Sequence, residues 1–179
     1  MRMIRSLALL LPVLLAGCNG KVVRVDMDPA RLVAPATTKA KGVAVLACAH
    51  RLREVVDARP GGGEVGGLGW NAFRFDAAAD TVRQQLSAAG LADATTTDAM
   101  PSVSVRIMQL YLANNLQTKV PVAVYEVAVD DAAPFVLRSQ KASMNWNGSQ
   151  DEAYVAYARA LADINQQLVG RLNQNCRKG

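Results

Sequence analysis

From Tyr154 to Leu172 the apolar residues Tyr154, Tyr157, Leu161, Ile164, Leu168 and Leu172 recur every three or four positions. That period places them on one stripe of an α-helix, with Arg159, Asp163, Gln166 and Arg171 on the opposite side. Ser149 and Glu152 are spaced as a capping box at its start, and Asp151 is favoured there by the positive end of the helix dipole. Gly170 is a weak point, costing about 1 kcal/mol against alanine. A stripe this long must be covered, so the rest of the chain has to supply an apolar face.

Alternating segments supply it. From Val43 to Ala58 one alternate set reads Ala44, Leu46, Cys48, His50, Leu52, Glu54, Val56 and Ala58, mostly apolar, against Arg51, Arg53 and Asp57 on the other. The segment is long for one strand, which predicts a bulge or bend near His50 to Arg53. Asp76 is expected to cap a helix running to about Ala89, with Phe75, Ala79, Val82, Leu86 and Ala89 as its stripe and Gly90 just past its end. Three strands should follow. Val103, Val105 and Ile107 alternate, and the phase then slips to Leu110 and Leu112, which predicts a bulge. Val120 to Val129 is apolar on both faces apart from Glu126, as in a central strand, and Phe135 to Trp146 is expected as the last strand. Asn114-Asn115 and Asp130-Asp131 mark the turns. The predicted fold class is α+β, a two-layer β-α-β-β-β-α order with an antiparallel sheet and two helices packed on one face.

The front of the chain obeys different rules. Arg2 and Arg5 precede an apolar run from Leu7 to Leu15 that is shorter than the roughly 20 residues needed to cross a bilayer, and Pro12 disfavours one uninterrupted helix. Length and flanks read as a secretory signal peptide. The junction Leu15-Ala16-Gly17-Cys18 resembles a lipobox, the pattern of the bacterial lipoprotein signal peptidase. That resemblance implies lipidation of the Cys18 thiol, with acyl chains such as palmitate then holding the protein on a membrane. Asn19 follows Cys18 where the inner-membrane retention signal of enteric bacteria would have aspartate. By the same resemblance the destination is the outer membrane, facing the periplasm.

The chain therefore divides into a signal peptide over 1–17, a lipidated N-terminus and tether over 18–41, and a single domain over 42–179. Within the tether Lys21 to Met27 is the one candidate strand, with Val23 and Val25 alternating with charge. Asp28-Pro29 and Pro35 to Thr38 break regularity. A fully flexible tether of this length would reach about 25 Å. The formal charge of +5 falls by two when Arg2 and Arg5 leave, and the remaining charge is spread without a basic stripe, so nucleic acid is not an expected partner.

Of the three cysteines, Cys48 and Cys176 remain once Cys18 is lipidated. Cys176 continues the Leu168, Leu172 series, and an oxidising compartment permits a Cys48–Cys176 disulfide. Two separate buried thiols are the alternative, since sequence does not show their Cα separation. A glycine-rich loop is expected over 60–69, followed by Trp70 and Phe73. Its Gly61 to Gly66 matches G-x-G-x-x-G, but the next helix begins near Asp76, too late to present its N-terminus to a pyrophosphate. The loop with Trp70 and Phe73 is instead a candidate lip over a binding groove. Asp57 and Arg59 are two apart on one strand face, as an ion pair or as ligand contacts. His50 is the single histidine, expected to be solvated beside Arg51 and Arg53, and it cannot build a multi-histidine zinc site.

The lipobox, the extended strand ending in Val55-Val56-Asp57-Ala58-Arg59, the glycine stretch, the helix, the three strands and the long last helix resemble the YajG-like bacterial lipoproteins. More distantly, the layout is similar to the auxiliary lipoproteins of ABC-type lipid-transport systems. Beyond the Val55 to Arg59 segment the likeness is one of pattern, over about residues 42–174, and the glycine run is expanded relative to it. It implies an envelope protein. No catalytic, cofactor-binding or metal residues are assigned, and no cofactor is expected. The leading expectation is a non-catalytic, membrane-anchored periplasmic lipoprotein that binds a protein partner or an apolar, lipid-like envelope ligand, as a transport auxiliary for example. The alternative is a structural module that tethers or stabilises an envelope assembly. A cell-envelope enzyme is the least supported, because no nucleophile and base or paired carboxylates stand in a recognisable motif.

Overall fold

Valine-rich alternation builds the strands, and the two amphipathic stripes become the helices. The computed structural model describes residues 21–32, 45–93, 100–115, 117–140, 142–145 and 147–176. In chain order the elements are β1 (Val23–Asp26), a 3-10 turn (Pro29–Arg31), β2 (Arg51–Asp57), β3 (Glu64–Leu68), β4 (Asn71–Arg74), α1 (Ala78–Ala88), β5 (Ala92–Asp93), β6 (Ser102–Asn114), β7 (Thr118–Val129), β8 (Phe135–Arg138), β9 (Met144–Asn145) and α2 (Gln150–Cys176). The main sheet runs β5-β2-β6-β7-β8, with β9 pairing the other end of β7, and a smaller sheet runs β1-β4-β3. The fold is α+β. α1 packs on β2 and α2 on β7, and Asn165 Nδ2 donates to Gln85 Oε1 (2.7 Å) between the helices.

Three strand pairs depart from the antiparallel expectation: β1 with β4, β2 with β5 and β2 with β6 are parallel. β2 lies along β6 with Val55 opposite Val105 and Asp57 opposite Ile107. The connection between them contains α1, and a crossover through a helix returns the chain in the same direction. β6 and β7 form the long antiparallel pair. Both expected bulges are present: the β2–β6 register shifts between Leu52 and Glu54, and the β6–β7 register shifts between Ile107 and Gln109.

The expected final strand is broken in two. Ser139 closes β8 by exchanging bonds with Ala123, and Gln140 N then donates to Asp163 Oδ2 of α2 (2.7 Å). A side chain on the helix thus takes a backbone donor that a strand would have used. Asp76 does not cap α1 either: the helix begins after Ala77 with no side-chain cap, and Asp76 Oδ2 accepts from Arg74 Nε (2.8 Å). The capping box on α2 is formed, with Ser149 N donating to Glu152 Oε2 (2.8 Å) and Glu152 N to Ser149 Oγ (3.2 Å).

The largest correction concerns the tether. Residues 21–32 are part of the domain: β1 runs parallel to β4, Asp28 N donates to Tyr154 Oη (2.9 Å), Gln85 Nε2 donates to Leu32 O (3.0 Å), and Met27 and Leu32 are buried in the core. Residues 33–44, the rest of the expected tether and the start of the first expected strand, lie outside the described residues, as does Cys18. The 60–69 segment is also more than a loop. After a turn at 60–63 it forms β3, because Gly66, at φ +100°, lets the strand come against Leu112: a Cβ there would stand 3.0 Å from Leu112 Cβ and 3.2 Å from its backbone nitrogen.

The core is filled by Leu52, Val82, Leu86, Val103, Val105, Ile107, Tyr125, Val127 and the α2 stripe, all fully buried or nearly so. Each such side chain contributes about 1.5–3 kcal/mol relative to exposure. Tyr125 is an exception in kind, because its hydroxyl is buried with no hydrogen-bond partner among the described residues and burial pushes its pKa far up. Tyr125→Phe should therefore leave packing intact, remove an unsatisfied group and raise stability by about 1 kcal/mol, read as a higher urea midpoint.

Asp130 closes the β7–β8 turn at φ +49°. Its Oδ1 accepts from Ser102 N (2.7 Å) and Ser102 Oγ (3.0 Å), and its own N donates to Ser102 O (2.8 Å). The backbone bond from Ser102 is the main cause holding its carboxyl below the ordinary 3.8. A folded-state pKa below the unfolded one gives stability that is present above the unfolded value and lost as pH falls through the folded value. Asp130→Asn, which tolerates the same φ, should flatten the acid limb of the urea midpoint against pH without changing its shape near neutrality.

Candidate functional site

Four places carry the polar and apolar groups from which a site would be made. The first is the junction of the α2 C-terminus with the segment before β2. The helix period carries Leu168 and Leu172 into the core and brings Cys176 to Cys48, where the two form a disulfide with Cα atoms 5.8 Å apart across 128 residues of chain. Asn173, one turn earlier, pairs with the same segment like a strand backbone: its Oδ1 accepts from Ala47 N (2.7 Å) and its Nδ2 donates to Val45 O (2.9 Å). Sequence reasoning passed over Asn173, although its place three residues before Cys176 is the available signal.

His50 corrects an expectation. It is only 3% exposed, with Nδ1 3.2 Å from Cys48 O, and its carbonyl accepts from Ala92 N (2.9 Å) where β5 starts alongside β2. The alternation that put His50 in one set with Leu46, Cys48 and Leu52 holds here, and that set is the inward-facing one; only the expectation of solvation fails. The ligand atoms of Cys48, His50 and Cys176 all lie within 4.8 Å of one another. With both sulfurs joined to each other, neither is a thiolate that could ligate a metal.

The second place is the end of β2. Arg59 Nε donates to Asp57 Oδ1 (2.7 Å), and Nη2 donates to Asp57 Oδ2 (2.5 Å) and to Phe75 O (2.7 Å). The Arg59 side chain is almost fully buried, and the fork geometry fits the carboxylate on two bonds. Asp57 and Arg59 thus meet as an ion pair that ties the exit of β2 to the exit of β4. Beside them lies a shallow cavity of about 220 Å³ lined by Arg59, Gly61, Gly62, Glu64, Leu110 and Tyr111. Arg59 Nη1 is buried without a partner among the described residues, but the guanidinium's charge is already opposed by Asp57.

The third place is an open depression of about 390 Å³ between β9 and the first turns of α2, lined by Met144, Asn145, Asp151, Glu152, Val155 and Arg159 among others. Its acids are engaged elsewhere. Glu152 completes the capping box, and Asp151 pairs with Arg31, whose guanidinium lies 3.6 Å over the Tyr154 ring. Both carboxylates are exposed.

The fourth is the β3–β4 hairpin tip. Gly69, at φ +58°, and Trp70 form its two-residue turn, a conformation glycine adopts freely. Trp70 is 58% exposed at the tip, whereas Phe73 points into the core and is buried. The two do not form one lip. Phe73 alternates with Phe75, and that period of two is the signal for β4 that sequence reasoning missed. Tyr157, read as core, also donates its hydroxyl to Val65 O of β3, and burial raises its pKa well above the ordinary value.

Neither the protein-family models nor the curated proteins contain a match to the chain. Geometry alone therefore ranks the sites, and the disulfide junction is the one whose removal has the largest expected effect. Cys48→Ser with Cys176→Ser, or reduction of the wild type, should lower unfolding stability by about 4–5 kcal/mol for a closed loop of this length. The readout is the urea midpoint with and without a dithiol reductant; the double variant should be insensitive to the reductant.

Proposed function

We propose that the chain is the precursor of an exported lipoprotein, acylated on Cys18 and held at the periplasmic face of the outer membrane. Its domain is a non-catalytic module that binds a protein partner. The observation that carries the reading is where apolar surface lies. The space between sheet and helices is filled by fully buried side chains such as Tyr125, Leu161, Ile164 and Leu168. Among the exposed apolar residues, Val136 is 65% exposed on β8, the last strand of the main sheet, while Val56, Tyr111 and Val155 are scattered singly over β2, β6 and α2. An open strand edge with an apolar residue offers backbone donors and acceptors to an incoming strand. This favours a protein partner over an apolar ligand held inside the fold.

Two further observations support the reading. Asp57, Asp151 and Glu152 are engaged in ion pairs and a helix cap, and His50 Nδ1 lies against Cys48 O, which takes these groups from acid–base chemistry. A disulfide suits an oxidising compartment, consistent with export. A module that stabilises an envelope assembly would use the same β8 edge, and the resemblance to YajG-like lipoproteins is compatible with either role.

Two measurements test it. Labelled palmitate should enter the wild-type protein and be absent from Cys18→Ser; an unlabelled wild type would refute the anchor. A photo-crosslinking residue at position 136 in intact cells should capture one discrete protein, identified by mass spectrometry. Val136→Asp should abolish binding of that protein to the purified chain without shifting the urea midpoint. Capture of bulk membrane proteins alone would overturn partner binding through this edge.

A further inference from the structure

The incorporation of residues 21–32 into the domain changes what the lipid can do. From Cys18 to Val22 is four residue steps, at most about 14 Å of fully extended chain. At the end of that leash Val22 and Val23 are 64% and 51% exposed. Val23 N donates to Trp70 O (2.8 Å), so the backbone of the β3–β4 tip, where Trp70 is 58% exposed, is bonded to the start of β1. The hairpin tip, Val22 and the first residue of β1 therefore present unburied Val22, Val23 and Trp70 at the end where the chain arrives from Cys18. Lys21 adds a positive charge there, and Lys119 Nζ donates to Gly67 O just behind the tip (2.8 Å). Among the described residues of 21–23, 68–71 and 114–119 there is no carboxylate.

We infer that this end of the domain is a lipid-facing surface: Val22, Val23 and Trp70 rest in the headgroup region of the bilayer that holds the acyl chains. The inference rests on the proposed acylation of Cys18. Tryptophan favours that region because its ring is amphipathic, valine adds apolar contact, and lysine is drawn to anionic headgroups. Each attraction is weak alone. A short leash keeps the surface at a high effective concentration next to the membrane, so a contact too weak to recruit a free domain suffices to orient a tethered one. A protein seated on the same tip is the competing occupant. The bilayer is favoured because the tip is the part of the described domain that follows the proposed anchor within one short segment of chain.

The full acylated chain, reconstituted into vesicles of phosphatidylethanolamine and phosphatidylglycerol, allows a direct test. Trp146→Phe leaves Trp70 as the sole tryptophan. Its emission should shift to the blue on reconstitution and be largely quenched by lipids brominated near the headgroup end of the chain. If Trp146→Phe disturbs folding, the same signal is read as wild type minus Trp70→Phe, a change at an exposed position. Intact-mass measurement of the same sample reports acylation separately. An acylated protein whose Trp70 is neither shifted nor quenched overturns the lipid-facing surface while leaving the anchor standing. Unmodified Cys18 overturns both. A photo-crosslinker at position 70 in cells that captures a discrete protein and no lipid also overturns the inference, in favour of a protein on the tip.

Discussion

The apolar stripe of α2 is the contact on which the rest of the molecule depends. Tyr157, Leu161, Ile164, Leu168 and Leu172 are buried against the sheet, and the same helix holds the elements around it. Tyr154 Oη accepts from Asp28 N, Tyr157 reaches β3, Asn165 meets α1, Asp163 takes the backbone of Gln140, and Asn173 and Cys176 hold residues 45–48. A helix of 27 residues is long enough to carry all of these on successive turns. Hydrophobic burial along it supplies the undirected part of the stabilisation, and the polar bonds decide which segment sits at which turn.

Around that helix, small residues and one buried ion pair solve a problem of crowding. β6 continues beyond the end of β2, and its exposed length must be covered by another element. The β3–β4 hairpin does so, and Gly66 is where backbone meets backbone closely enough to exclude a side chain. Arg59 then fixes the approach to the hairpin, since its guanidinium binds Asp57 and the carbonyl of Phe75 at once. Removing one partner of such a buried pair would leave the other charged and unpaired, which is why the pair belongs to the architecture more than to chemistry. Within the glycine run, Gly66 answers to this packing, and Gly62 and Gly69 to their positive φ in the turns.

Surface chemistry follows from the same geometry. Asp57, Arg59, Asp151 and Glu152 are used in holding the fold, while the apolar groups left outside include Val136 on β8 and Trp70 at the β3–β4 tip. Short connections matter here. Because β1 is bonded into the small sheet, anything attached a few residues ahead of it acts on the hairpin tip directly. The segment from residue 21 is thus a strand of the fold and no free tether.

Local physics was legible from residues alone. The reciprocal Ser149–Glu152 cap, the α2 stripe, the Gly90 position after α1 and both strand bulges depend on neighbours within a turn or on the phase of alternation, and each appears where the pattern places it. The same reasoning misplaced Asp76, which had a closer partner in Arg74, and read Trp70 and Phe73 as a pair when a strand turns them to opposite environments. Burial of His50, the parallel β2–β6 pairing and the capture of residues 21–32 depend on segments far apart in the chain, as did the choice between a Cys48–Cys176 bridge and two separate thiols. The sequence by itself determined the two helices and the long strands β6 and β7 with their apolar faces, because periodicity is a property of consecutive residues. The tertiary structure decided which faces meet, which polar groups are used up and which apolar residues remain outside, because burial is a property of the whole packed chain.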